Sequence, residues 1–383
     1  NASSGNGVIT FTSTIGDSGN AGVIGTTSIG NAATSDLNFN STIYKFDGAT
    51  TITAASGDTI DMGAGAATTF TTAADNITFA TGNIELANGS NLTVDTGAAG
   101  GNITIGEIGG TSVETVTLDA GTGTTSVGVI GSGTEIGALS IGSAENGGIT
   151  LNGAITTDGV VTLDGPITLA TGAITITTAD DAINLQGTVD GGQALTLSSG
   201  SAAVTVDGAI GSSTALTSLT VNSSGAGTIE IADIGTSSAA GVSGATAIGN
   251  TSTGTLTLDG TVYTTTGTQT YTAATGGGNI DITNTAGTTF TTTNTAIAFN
   301  TSGVDLANNA TTTIDTGTGA GDVTFQGAIE TNGSDNDILT VTSGTGTVTF
   351  TGAIGATEEL GGLNVNASSG NGVITFTSTI GDS

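Results

Sequence analysis

The first eighteen residues, Asn1 to Ser18 (NASSGNGVITFTSTIGDS), return unaltered as Asn366 to Ser383, 365 positions later. A match of that length does not arise by chance, even in a biased sequence. The chain therefore reads as one tile of a tandem array, residues 1–365, followed by the start of the next tile, 366–383. Weaker copies lie inside the tile. Residues 70–96 align without gaps to 290–316, with 12 of 27 positions identical. A second family reads VTFTGAIGATEELGGLNVNASSG at 348–370 and VTVDGAIGSSTALTSLTVNSSG at 204–225. A looser copy is TTSVGVIGSGTEIGALSIGSAENG at 124–147.

The gaps between copies choose between two architectures. A string of globular modules should repeat at one domain size. The landmark glycines of the second family, Gly128, Gly208 and Gly352, stand 80 and 144 residues apart, and 141 when wrapped through the 365-residue period. No single domain size fits these gaps, whereas whole coils of about 20 residues do. A solenoid gains and loses whole coils because each coil contacts only its neighbours.

Local patterning agrees. Val8-Ile9-Thr10-Phe11-Thr12, Ala173-Ile174-Thr175-Ile176-Thr177 and Val348-Thr349-Phe350-Thr351 alternate apolar with small polar residues. Such period-two runs, bounded by Gly, Asn, Asp and Ser, are half-buried strands. Thr is β-branched and suits the outward positions of a pleated surface. Gly recurs every few residues, and no amphipathic helical run lasts beyond two turns. A corner signature of apolar-x-Gly-x-Ile/Val recurs at Leu151–Ile155, Leu163–Ile167, Leu185–Val189, Val206–Ile210, Leu258–Val262, Phe325–Ile329 and Phe350–Ile354. Gly at its centre allows a tight turn close to a neighbouring backbone. The expected fold is all-β: a parallel β-solenoid with coils of about 20 residues and a narrow interior of Val, Ile, Leu, Ala and Phe.

The Gly-Ile-Thr-Leu and Asp-Gly-Ala-Ile runs resemble the filamentous-haemagglutinin-type repeats of very large bacterial surface adhesins. The likeness is one of pattern and covers essentially the whole chain. It implies a right-handed β-helix, secretion to the cell surface, and a role in adhesion, biofilm or an extracellular fibre. The amino-terminal secretion domain of that family is not seen, and neither is the calcium-binding nonapeptide Gly-Gly-x-Gly-x-Asp. Because the sequence starts at Asn1 without a leader, an export signal is expected outside it.

Composition narrows the chemistry. Of 383 residues, 66 are Gly and 83 are Thr, and Lys45 is the single cation beside 32 carboxylates. Without His or Cys there is no Ser-His-Asp or Cys-His nucleophile system, no imidazole or thiolate metal site and no disulfide. A formal charge of −31 is the wrong sign for a phosphate backbone, so no nucleic acid is expected as a partner. No run of about 18 apolar residues exists, so membrane insertion is not expected either. No enzyme activity, catalytic residue or cofactor is expected.

Four sets of residues still merit a reading. Asp95, Asp119, Asp164, Asp207, Asp259 and Asp315 each follow a Thr-plus-aliphatic pair. They can form a carboxylate row for Ca²⁺, or each can cap its own turn, and their uneven spacing favours the caps. Thr-x-Thr units (Thr10–Thr12, Thr175–Thr177, Thr255–Thr257) invite an ice-binding reading, but 83 Thr are expected to spread over all faces. Tyr44 and Tyr263 fall at equivalent places in duplicated segments, which points to packing rather than to a sugar platform. Sequons such as those at Asn40, Asn76, Asn91 and Asn102 are expected by chance at this Ser/Thr content.

The functional expectation is a non-catalytic length of an extracellular fibre or adhesin shaft. Its partners are further copies of the same repeat in cis, laterally bundled filaments, and cell-surface or matrix contacts. The rivals are an ice- or surface-binding Thr solenoid and a string of Ca²⁺-rigidified globular modules. With 20-residue coils, a tile has about 18 coils and carries about one net negative charge per 3 Å of rise. Such a filament repels its copies at low salt and is bridged by divalent cations.

Overall fold

The computed structural model describes residues 7–142, 147–301, 303–333, 336–367 and 372–381. All regular structure among them is β, in strands of two to seven residues, and no helix is present. The strands pair in parallel as a β-solenoid of about 15 turns with about 24 residues per turn. Two compact units can be distinguished, Asn1–Gly187 and Thr188–Ser383.

In the first unit one coil is traced by three strands, Ile77–Thr81, Asn83–Leu86 and Leu92–Asp95. The following strand Ile103–Gly109 pairs with the first two of these, and Thr115–Asp119 pairs with the third. Alternation places one side chain in two inside, and in-register stacking turns these into apolar columns. One column runs Ile9, Leu37, Ile60, Ile84, Ile108, Ile130, Ile155, Ile176. A second runs Ile15, Tyr44, Phe70, Val94, Leu118, Ile141, Leu163, Leu185. A third runs Ile29, Ile52, Phe79, Ile105, Val127, Leu151, Leu169.

The second unit is built the same way. Its columns include Leu197, Val221, Ile248, Tyr271, Phe299, Phe325, Phe350, Phe376. Another is Val204, Ile229, Leu256, Ile280, Val304, Ile329, Ile354, Ile380. The third is Val189, Ile210, Ile234, Tyr263, Phe290, Ile314, Val341, Val365. Rings continue these stacks: Phe299 lies 4.8 Å from Phe325, Phe325 5.3 Å from Phe350, and Phe350 4.9 Å from Phe376, all within 5° of parallel.

The coil is longer than the expected 20 residues, and the corner signature explains the error. In the first unit Leu151–Ile155 turns from the Ile29 column to the Ile9 column, whereas Leu163–Ile167 turns from the Tyr44 column to the strand Ile167–Leu169 that carries the Ile29 column. In the second unit Phe325–Ile329 and Val206–Ile210 likewise occupy different corners. The motif repeats per corner rather than per coil, so gaps between its copies need not be whole coils. At 24 residues per coil the 365-residue period is about 15 coils. The 30 net negative charges of the period then amount to about two per coil, or about one per 2.4 Å of rise. Stacked coils also replace the alternative of discrete globular modules.

Candidate functional site

The three tyrosines are spent on the core. Tyr44, Tyr263 and Tyr271 are fully buried. Tyr44 Oη accepts from the Ser41 amide at 3.0 Å, and Tyr263 Oη accepts from the Gly260 amide at 3.0 Å, which is the shared packing role expected of the duplicated pair. Tyr263 Oη also donates to the Ile231 carbonyl at 2.8 Å. Beside it Gln269 Nε2 donates to the carbonyls of Tyr263 and Thr291, and Gln269 Oε1 accepts from Tyr271 Oη at 3.0 Å. Burial drives both Tyr263 and Tyr271 well above their ordinary ionisation range. This internal amide had no signal in the strand pattern, where Gln269 stands at an inward position.

The outward positions carry the surface chemistry, and stacking sorts it into columns. In the first unit Ser28, Thr51, Thr78, Thr104, Ser126, Thr150 and Thr168 follow one another at matched positions in successive coils. A second file is Thr69, Thr93, Thr117, Ser140 and Thr162. In the second unit the file Thr196, Thr220, Ala247, Thr270, Ala298, Thr324, Thr349, Thr375 is interrupted only by alanine. Thr was expected to be dispersed over the faces. It does occupy more than one face, and on each of them parallel register gathers outward Thr into rows of hydroxyls, because every rung repeats the same inward–outward phase.

Carboxylates stack in successive rungs as well. Asp61 pairs with Glu85 in register, with Asp36 and Glu107 nearby in charge range. In the second unit Asp281, Asp305 and Glu330 form consecutive rungs. Glu85 and Asp305 occupy matched positions of the 70–96 and 290–316 duplication. Asp61, Glu85 and Asp305 are all pushed above the usual carboxylate range, first by burial and then by neighbouring carboxylates; hydrogen bonds from Thr59 and Asn279 offset this partly at Asp61 and Asp305. Asn279 Nδ2 bridges two rungs, donating to Asp281 Oδ1 at 2.7 Å and Asp305 Oδ2 at 2.5 Å.

The six aspartates from the sequence divide by place. Asp95, Asp119 and Asp164 share one column of the first unit, spaced by Gly142. Asp95, Asp119 and Asp315 accept from the amide two residues on, at 2.7, 2.9 and 2.8 Å, and so cap their own turns. Asp207 and Asp259 follow strands of the second unit that stand two coils apart, and burial followed by the charges of Asp207 and Asp233 raises Asp259. Among the described residues no group of three or more carboxylates could hold a metal ion. These files run along the stack rather than converging on a point.

Polar side chains at the corners also clamp successive coils, a role that sequence reading missed. Asn76 Oδ1 accepts from the Asn102 amide at 2.8 Å, and Asn102 Oδ1 accepts from the Thr124 amide at 2.9 Å. Asn91 accepts from the Thr115 amide, Asp190 from the Ser213 and Thr214 amides, and Asp322 from the Thr347 amide. Three of the sequon asparagines are therefore coil-to-coil clamps.

The charge files predict an inverted pH response. Asp61, Glu85 and Asp305 are weaker acids folded than unfolded, so the folded chain binds more protons between the ordinary carboxylate pKa of about 4 and the raised values. Stability is then fully present at the acidic end of that window and is lost as pH rises through the raised values. The melting temperature is expected to rise as the pH is lowered from neutral toward the ordinary carboxylate value of about 4, and less so in high salt. Glu114 acts in the opposite sense, since hydrogen bonds from Thr111 and Gly89 outweigh its burial and hold it low. A melting temperature that falls over this interval would contradict the reading of the carboxylate files as mutually repelling.

No helix among the described residues is long and apolar enough to cross a membrane. No protein-family model, characterised protein or solved structure matches the chain.

Proposed function

We propose that this chain is a non-catalytic structural repeat of a long extracellular fibre or adhesin shaft, supplying reach and stiffness. The observation that carries the reading is the 365-residue period, which corresponds to about 15 stacked coils. A perfectly repeated sequence built of coils that pair with their neighbours extends without a new fold at each repeat. The filamentous-haemagglutinin resemblance points the same way, to the cell surface and to copies of the same repeat as partners. The absence of Cys frees the fold from redox state. The flanking coding sequence tests the proposal: it is expected to continue the period, and flanks without it would remove the main support. At about two net negative charges per coil, the lateral spacing of filaments should contract with Mg²⁺ or Ca²⁺.

The Ser/Thr file Ser28–Thr168 favours a second reading, an ordered hydroxyl face that binds ice or another regular surface. Thermal hysteresis decides it. A freezing-point depression beyond that of an equally concentrated control protein supports it, and none removes it.

A further inference from the structure

The two copies of the eighteen-residue segment occupy opposite edges of the pairing pattern. In the first unit Gly7–Phe11 pairs with Thr34–Phe39, the coil that follows it. In the second unit Ile374–Phe376 pairs with Val348–Phe350, the coil that precedes it. Four residues after the end of each strand comes a bridge, Ile15 to Tyr44 in one copy and Ile354 to Ile380 in the other. The glycine that follows has φ of 76° at Gly16 and 79° at Gly381, so the same backbone is adopted twice.

The hydrogen bonds of the two copies use different atoms. The Ile15 amide donates to the Ile43 carbonyl at 3.0 Å, and the Ile15 carbonyl accepts from Lys45 at 2.7 Å. In the other copy it is the neighbours of the bridge residue that pair: the Thr379 carbonyl accepts from Ile354 at 3.0 Å, and the Gly381 amide donates to Ile354 at 2.8 Å. The strand behaves alike. The Phe11 carbonyl accepts from Asn40 at 2.9 Å, whereas its second copy uses the Val373 carbonyl and the Thr377 amide. A single segment can therefore be paired on both sides with no group used twice.

Side chains show the same division. Phe11 stacks on Phe39 at 5.0 Å, and Phe376 stacks on Phe350 at 4.9 Å. Here Val8 and Val373 are each 55% exposed, Ile380 is 57% exposed and Phe376 40%. A groove lined by Ile354, Leu360, Leu363 and Ile380 opens beside the second edge.

We infer that the two edges are mating faces for a second copy of this chain. The edge Val373–Gly381 of one copy stacks in parallel on the edge Val8–Gly16 of another, so that Ile374 meets Ile9, Phe376 meets Phe11 and Ile380 meets Ile15. The Ile380 amide and carbonyl then face the Thr14 carbonyl and the Gly16 amide, the groups that their counterparts Thr379 and Gly381 use toward a preceding coil. The phenylalanine stack continues from Phe350 through Phe376 and Phe11 to Phe39. Within a tandem array one segment fills both roles, and the register of coils passes through the joint unbroken.

This deepens the fibre reading but is tested separately, because flanking sequence can lack the period while the edges still mate. The full chain is examined by sedimentation velocity over a range of concentrations, at an ionic strength that screens its −31 charge. An open series of oligomers is expected. Phe376→Asp and Phe11→Asp should each abolish it, since every contact needs one edge of each kind. Mixing the two variants should yield a 1:1 dimer and nothing longer, because each retains the edge the other lacks. Ile374→Asp and Ile9→Asp repeat the test should either phenylalanine variant lose its β circular dichroism. A wild-type chain that stays monomeric, single variants that still associate, or a mixture without the 1:1 dimer overturns the inference.

Discussion

Gly128→Val is expected to cost about 3 kcal/mol or more and to break the stack between two particular coils. A Cβ at position 128 would lie 1.9 Å from the Gly106 carbonyl oxygen, a backbone atom that cannot move without carrying its own coil with it. The position marks a corner where backbone lies directly on backbone. Gly106, one coil earlier in the same column, is the control. Nothing lies within 4 Å of the place its Cβ would take, so Gly106→Ala should stay within about 0.5 kcal/mol of the parent. Since stability in a solenoid is a sum over neighbouring coils, the damage should be local. Hydrogen exchange should show protection lost across Ile103–Ile130 before the rest of the chain. Equal tolerance of both substitutions would mean that the coils are not in this register.

The second large effect is expected inside the second unit. Phe325 is 1% exposed and stacks on Phe299 at 4.8 Å and on Phe350 at 5.3 Å. Phe325→Ala removes a buried ring from a column that cannot close over it, because the rungs above and below are held at strand spacing by the ladder. The expected loss is about 3–5 kcal/mol in chemical denaturation, and both ring pairs disappear with it. Thr324→Ala, one residue away on the outward face, should be nearly silent. If the two variants unfold at the same denaturant concentration, the inward–outward assignment of this strand is wrong.

Much of this was legible in the residues. Runs such as Val348-Thr349-Phe350-Thr351 name their own inward and outward positions, and Val348 and Phe350 are indeed buried. The corner signature located turns, and at other corners Asp95, Asp119 and Asp315 cap theirs as turn chemistry predicts. Coil length was not legible, because one motif serves several corners and its spacing mixes whole and partial coils. The clamps were hidden for a related reason. Asn76 and Asn102 are 26 residues apart, and nothing local signals which distant amide an asparagine meets. The hydroxyl and carboxylate files are likewise properties of register. Thr51 and Thr78, or Asp61 and Glu85, become neighbours only once the coil length is known. Composition could show how much charge and hydroxyl the chain carries but not which of these groups stacking would bring into one column.

The central claim is that the chain advances by one parallel rung for each coil of about 24 residues. Thr69, Thr93, Thr117, Ser140 and Thr162 are successive rungs of one outward file in the first unit. With no native cysteine, Thr69→Cys and Thr162→Cys can be spin-labelled cleanly and their separation read by pulsed electron resonance. Four rungs predict a narrow distribution centred near about 19 Å, although the labels stand 93 positions apart in the sequence. A separation beyond about 30 Å, or a broad distribution without that peak, would contradict the stack of coils on which every other statement about this protein depends.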